Sequence, residues 1–296
     1  YGSVVYTENV LMGAYSKLAL DKTYGCRVPL NYATNSDIEV VGADATSYKE
    51  DKNRGLSNYL GTPGNNSLNF WEEAYYLIER TNLVIEGIEG SPILKGGDSQ
   101  AIEKMNAFKG EALTLRAMIY FDLIHNWGDV PFKTEPTRVD GSNTYLPATD
   151  RDEIMEHLLA DLEIAEDLVP WIGDKNYGSA ERVTKGFIKG LAARIALQRG
   201  GYSIRNKAGF PTERGTEWEK YYTIANQKCK DIIENGKHKL NASYREVFEN
   251  LNKLKLDQTY NENLFEVAHG LAYSGEMGYS IGVRYNKNSK YGYGNN

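Results

Sequence analysis

Two stretches of the chain gather aromatic rings, guanidinium groups and short amide or carboxylate side chains. The first, within 37–66, carries Asp44, Tyr48, Asp51, Arg54, Tyr59, Asn65 and Asn66. The second, in the tail, carries Tyr279, Arg284, Tyr285 and Tyr291. These types together suit recognition of a polyhydroxylated ring. A tyrosine face takes the apolar C–H side, and planar guanidinium and amide groups bond adjacent hydroxyls in pairs. Tyrosine is also the compositional outlier, with 22 Tyr against 8 Phe and 4 Trp. About two thirds of these tyrosines are expected to pack between helices with the hydroxyl at the surface, as amphipathic side chains do.

Other chemistries lack their residues. His125, His157, His238 and His269 are scattered without the i, i+4 spacing of a helical metal site, and no Cys-x-x-Cys occurs, so no metal or cofactor is expected. No EF-hand run, nucleophile elbow or phosphate-binding glycine loop is present. Glu153, Glu156, Glu163 and Glu166 read as ordinary exposed helix acids rather than a glycosidase pair, which needs two carboxylates at a defined separation across a cleft. The formal charge of −6, with both signs interspersed, argues against a nucleic-acid surface. Cys26 and Cys229 are too few for a disulfide framework, and Cys229 reads as a small core residue on a helix stripe. No apolar run is long enough to span a membrane. No signal peptide is read, and the opening at Tyr1 predicts a processed or trimmed N-terminus.

The elements that position these groups are mostly helices. Helical spacing predicts segments over 4–20, 67–87, 101–127, from Asp150 to Pro170, from Thr184 to Gly200, over 216–235 and over 244–251. Gly87 and Gly90 are expected to end the second, Gly128 to stop the third with Pro131 preventing resumption, and Asp150 with Glu153 to form a capping-box variant. Asn263 to His269 reads as a strand. The segment 21–66 reads as an irregular insertion, 67–251 as a helical repeat region, and 262–296 as a strand followed by Tyr- and Gly-rich loops, all within one domain. Gly110, Ala112 and Ala117 on one helix and Gly190, Ala192, Ala193 and Ala196 on another mark close crossings. Arg116 is expected to be buried and satisfied by carboxylates, Glu111 or Asp122 lying one turn away. Trp71 is expected to pack in the core, and Asp129 to bond backbone in a stop turn.

Five segments, in order, resemble the SusD/RagB family. They are WEEAYYLIERTNLVIEGI (71–88), EALTLRAMIYFDLIHNWGDVPF (111–132), RVTKGFIKGLAARIALQRGGY (182–202), WEKYYTIANQKCKDIIENGKHKL (218–240) and NENLFEV (261–267). The second carries the hallmark, an Arg-Ala helix (Arg116-Ala117) leading through aromatic residues into Gly128-Asp129-Val130-Pro131. Ala14-Tyr15 fits as well. The resemblance implies a mainly α fold, a right-handed superhelix of tetratricopeptide-like helix pairs with a loop-rich ligand-binding part. It implies a surface lipoprotein, lipid-anchored in the outer membrane, that captures an oligosaccharide or polysaccharide and hands it to a SusC-like TonB-dependent transporter without catalysis. The ligand is then expected among loops in the two irregular segments, at Asp44, Tyr48, Arg54, Tyr59, Asn65, Tyr279, Arg284, Tyr285 and Tyr291. Family members usually begin at a lipidated cysteine and run well past residue 296. A helical-repeat scaffold binding a protein or peptide is the alternative reading.

Overall fold

The computed structural model describes residues 1–29, 68–175, 177–270 and 275. Its helices are α1 (Val4–Leu18), α2 (Leu68–Glu89), α3 (Pro92–Gly96), α4 (Ser99–Trp127), α5 (Arg151–Leu168), α6 (Lys185–Gly200), α7 (Trp218–Asn235) and α8 (Tyr244–Asn252). Two short antiparallel pairs interrupt them. In one, β1 (Val130–Pro131) meets β2 (Ala148–Thr149), with Val130 opposite Thr149. In the other, β3 (Tyr202–Ile204) meets β4 (Thr212–Arg214), with Ser203 opposite Glu213. The chain divides into two compact units, Tyr1–Ala14 with Leu77–Glu266, and Tyr15–Tyr76 with Val267–Asn296.

In the first unit, successive helices pack in chain order, α4 on α5, α5 on α6 and α6 on α7. That is the neighbour-to-neighbour packing of helical repeats, and the mainly helical expectation holds. At the centre, α4 starts from Asp98, whose carboxylate accepts from the Ala101 N–H at 2.8 Å. The 3–4 spacing predicts one buried stripe, yet every residue from Gly110 to Phe121 is buried. The reason is occupancy on several sides, since α4 also meets α3, α6 and β1. Gly110 shows how tightly. A Cβ there would lie 2.6 Å from Val169 Cγ2 and 3.2 Å from the Ala165 carbonyl, so only glycine lets the end of α5 cross this close. On α6 the small residues serve similarly. Ala193 and Ala196 form a buried cluster with Tyr221 and Ala225 of α7, and Leu264 packs onto Gly190.

Several local expectations need correction. Gly87 lies inside α2, which runs on to Glu89. A Cβ at Gly87 would overlap the Tyr1 ring at 2.0 Å, so this glycine makes room for an aromatic ring rather than ending a helix. Asp150 does cap α5, but its carboxylate accepts from the Asp152 N–H at 2.7 Å, not from Glu153. Of the predicted stripe of α7, Ala225 is buried, but Cys229 is exposed and Ile233 is 74% exposed, so the stripe's C-terminal part is turned from the packed face. The packed face carries Tyr221 and Ala225 against α6. Lys228 and Asp231 flank it because Glu166 and Lys189 bond them at 2.7 and 2.8 Å. Residues 263–269 are not a strand; they find no ladder partner among the described residues. Instead Phe265 stacks on Phe187 at 4.5 Å and the Glu266 N–H donates to the Ala180 carbonyl at 2.8 Å, which ties the segment to α6 and its approach. Neither strand pair is read from the sequence, because strands of two or three residues carry no periodicity.

In the second unit, the Thr23 hydroxyl donates at 2.7 Å to the Lys17 carbonyl and lies within 3.0 Å of those of Leu18 and Leu20, closing the turn that follows α1. Lys17 pairs with Glu73 at 2.9 Å. Trp71 is half-buried and tilts onto Tyr75 with ring centroids 5.1 Å apart.

Candidate functional site

The nine expected ligand contacts, Asp44, Tyr48, Arg54, Tyr59, Asn65, Tyr279, Arg284, Tyr285 and Tyr291, lie outside the described residues. All nine fall within the sequence bounds of the second unit. What the structure does show is the frame around the hallmark motif and three open hollows, all in the first unit.

Arg116 is the hub of that frame. It is buried, as expected, but its partner is neither Glu111 nor Asp122. One Nη donates to Asp161 Oδ2 on α5 at 2.6 Å, and the other to Asn82 Oδ1 on α2 at 2.8 Å and to the Thr134 carbonyl at 3.0 Å. Asn82 passes the link on, its amide donating to the Lys133 and Glu135 carbonyls at 3.1 Å. The Tyr120 hydroxyl accepts from the Lys133 N–H at 2.7 Å and donates to the Lys133 carbonyl at 3.1 Å. Burial pushes that hydroxyl well above the ordinary tyrosine range. Two helices, α2 and α4, thus grip the segment leaving α4 by its backbone, with Asp161 of α5 holding Arg116 in place, which satisfies the polar groups of a loop that crosses the core edge.

Glu79 fastens the same segment from outside. Its carboxylate accepts from the Thr137 N–H at 2.8 Å and from Lys133 at 3.2 Å. Burial alone would raise its pKa; the Thr137 bonds and the Lys133 charge outweigh burial and hold it below the ordinary 4.5. A depressed carboxyl contributes stability that is present above its unfolded value and lost as pH falls through its folded one. Hydrogen exchange should therefore show the Thr137 amide protected at neutral pH and progressively released as pH falls below the ordinary 4.5, while core amides of α4 stay protected. Equal protection of Thr137 at both pH values would contradict this role.

Glu111 anchors a second cluster. It is fully buried and accepts from the Tyr177 hydroxyl at 2.7 Å and from Arg182 Nε at 2.8 Å. Arg182 also pairs with Glu8 at 2.6 Å and lies over the rings of Phe108 and Tyr177 at 5.3 and 5.5 Å. Beside it opens a trough of about 510 Å³ lined by Phe108, Tyr177, Arg182, Glu8 and Lys104. It adjoins a second hollow of about 730 Å³ lined by Trp171, Asn106, Asp174 and Lys185. The trough has aromatic faces, but Arg182 already covers two of them and its carboxylate partners hold it there. These groups cross-link α1, α4 and the approach to α6.

The acids on α5 have more specific roles than a solvated face. Glu156 accepts from Arg199 at 2.7 Å and from the Tyr221 hydroxyl at 2.9 Å; those bonds outweigh burial and lower its pKa. Glu166 pairs with Lys189 at 3.1 Å and Lys228 at 2.7 Å. Glu153 and Glu163 are exposed as expected. Glu156, held in this way, resists protonation and makes a poor general acid.

The hallmark turn is a third place where side chains converge. Gly128 has φ +76°, and a Cβ on it would sit 2.1 Å from Arg151 Nη2, so both conformation and space demand glycine. Asp129 does bond backbone, accepting from the Arg151 N–H at 3.2 Å, and also holds Arg151 Nε at 2.9 Å. Pro131 then pairs with Ala148 in β1–β2. Trp127, Asn126, Arg151, Arg205, Asn206 and Phe210 line a cleft of about 410 Å³ here. Sequence reasoning missed it, because the hairpin that supplies Arg205 to Phe210 shows no strand signal. The turn dipeptide Ala208-Gly209 followed by Phe210-Pro211 was the one available cue.

Comparison with known proteins gives one consistent result. The family described as "Starch-binding associating with outer membrane", SusD-like, matches residues 8–197. A SusD-like protein of Formosa agariphila, P25, is 22% identical over 94% of this chain and 48% of its own length. A SusD homolog from Bacteroides thetaiotaomicron superposes with a TM-score of 0.68 at 22% identity, covering 91% of this chain and 47% of that one. Surface glycan-binding protein A from Bacteroides uniformis gives a TM-score of 0.65 at 21% identity, covering 85% of this chain and 50% of that one. The chain spans about half the length of the relatives it matches.

Proposed function

The chain belongs to the SusD-like family, and from that membership we propose that it is part of a non-catalytic, cell-surface glycan-binding lipoprotein of the outer membrane. It captures an oligosaccharide and delivers it to a SusC-like TonB-dependent transporter. The observation that carries the reading is the family match across 8–197, which includes the whole α4 hallmark and its exit. Likeness to a surface glycan-binding protein agrees with it. The mechanism is binding alone. Aromatic and planar polar groups of the two irregular segments hold a sugar chain at an open, wet surface, and such sites give affinities in about the micromolar to millimolar range. The committed carboxylates on α5 are in keeping with capture rather than hydrolysis.

A glycan array probed with the purified protein and with a Tyr48→Ala/Arg54→Ala double variant tests this. Selective binding of one oligosaccharide class, lost in the variant while helicity is unchanged, is the expected result. Retention of full binding by the variant would remove the first irregular segment from the site. Absence of binding at millimolar glycan, with capture of a protein or peptide instead, would turn the reading toward a helical scaffold.

A further inference from the structure

The cleft at the exit of α4 has a composition that packing does not account for. Its outer wall is the turn between β3 and β4. There Gly209 has φ +82° and Phe210 has φ +45°, immediately before Pro211. A bulky residue in the left-handed region is strained. Burial does not offset that strain, because Phe210 is 68% exposed. The turn is nevertheless pinned, with the Phe210 N–H donating to the Lys207 carbonyl at 2.9 Å and the Arg205 N–H to the Pro211 carbonyl at 2.8 Å. A strained aromatic ring is thus held out at the mouth of a cleft.

Arg151, which lines the same cleft, is largely buried and fixed at one edge only. Asp129 takes its Nε, and the guanidinium lies against Gly128, where a side chain would displace it. Its two Nη groups make no hydrogen bond among the described residues. They form a pre-oriented fork, the geometry that matches a carboxylate or a sulfate. Arg205 adds a second cation, steadied by Asp152 at 2.8 Å. The cleft lining therefore holds two guanidiniums and one carboxylate, Asp129, which is already engaged. Asn206 is exposed with no side-chain bond among the described residues, so its amide is available for hydroxyl groups.

We propose that this cleft is a separate binding site for an anionic sugar unit. The ring face lies on Phe210, the carboxylate or sulfate ester on the Nη donors of Arg151, and ring hydroxyls on Asn206. It uses none of the residues of the irregular segments and so goes beyond the capture site above.

The test is isothermal titration calorimetry of the whole chain with trigalacturonate, with a κ-carrageenan tetrasaccharide and with neutral maltotriose. Arg151→Gln, Phe210→Ala and the Tyr48→Ala/Arg54→Ala variant are titrated in parallel. At least one anionic ligand is expected to bind, about tenfold or more tighter than maltotriose, with Arg151→Gln and Phe210→Ala each weakening it about tenfold. The arm that binds tells carboxylate from sulfate recognition. Arg151 touches the fold through Asp129, so Phe210→Ala, on an exposed turn, decides if the arginine variant unfolds. Equal affinity for maltotriose, no anionic binding at millimolar ligand, or binding that survives Phe210→Ala intact overturns the site. Loss in the Tyr48→Ala/Arg54→Ala variant alone also overturns it and assigns the ligand to the irregular segments.

Discussion

Replacing Asp161 by alanine is expected to destabilise the protein by about 3–5 kcal/mol, the usual consequence of stranding one member of a buried ion pair. Arg116 is 3% and Asp161 7% exposed, and their bond is 2.6 Å long. Water cannot replace the lost carboxylate without opening the junction of α2, α4 and α5. The guanidinium would keep Asn82 and the Thr134 carbonyl, both neutral, while its buried Nε already lacks a partner among the described residues. Urea titration followed by far-ultraviolet circular dichroism measures the change. An Arg116→Met/Asp161→Leu double variant should recover much of the loss, since an apolar pair of similar volume can match a buried salt bridge. A single variant less than about 1 kcal/mol below the parent, within the range of surface pairs, would show that the pair contributes no more than an exposed one.

Glu111→Ala is the second large effect, expected at about 2–4 kcal/mol because a buried charge network loses its central acceptor. Both carboxylate oxygens of Glu111 are engaged and the side chain has no exposure. Its removal leaves the Tyr177 hydroxyl without its acceptor and Arg182 with Glu8 alone. The residual Glu8 pair sets the estimate below that for Asp161. Thermal unfolding of Glu111→Ala and of Glu8→Ala separates the two carboxylates. The Glu8 variant, whose side chain is 39% exposed, should lose under about 1 kcal/mol in keeping with surface pairs. Equal losses for both would contradict the ranking by burial.

These two carboxylates show where reading the sequence stops. Burial of Arg116 follows from its place on an apolar helix, but its partner does not. Glu111 and Asp122 are near in sequence, whereas Asp161, 45 positions on, wins because α5 lies against α4. Glu111 in turn is claimed by Arg182 and Tyr177, from a connection whose path only packing decides. The same limit applies to α7. Its apolar residues predict one stripe, but Glu166 and Lys189 of neighbouring helices draw in Lys228 and Asp231, and Cys229 is left outside.

The amino-acid sequence by itself determined the seven longer helices, though not the five-residue α3, because 3–4 spacing and stops such as Gly128 are local properties. It determined the family too, because the hallmark residues are consecutive around one helix end. Tertiary structure decided what lies between elements. It set the partners of the buried charges, the glycines at 87 and 110 that admit a ring and a crossing helix, and the path of 264–266 against α6 and its approach. It also formed the cleft of Arg151 and Phe210. Such features depend on which surfaces meet across tens of residues, and no periodicity within one segment encodes the side chains it will find opposite.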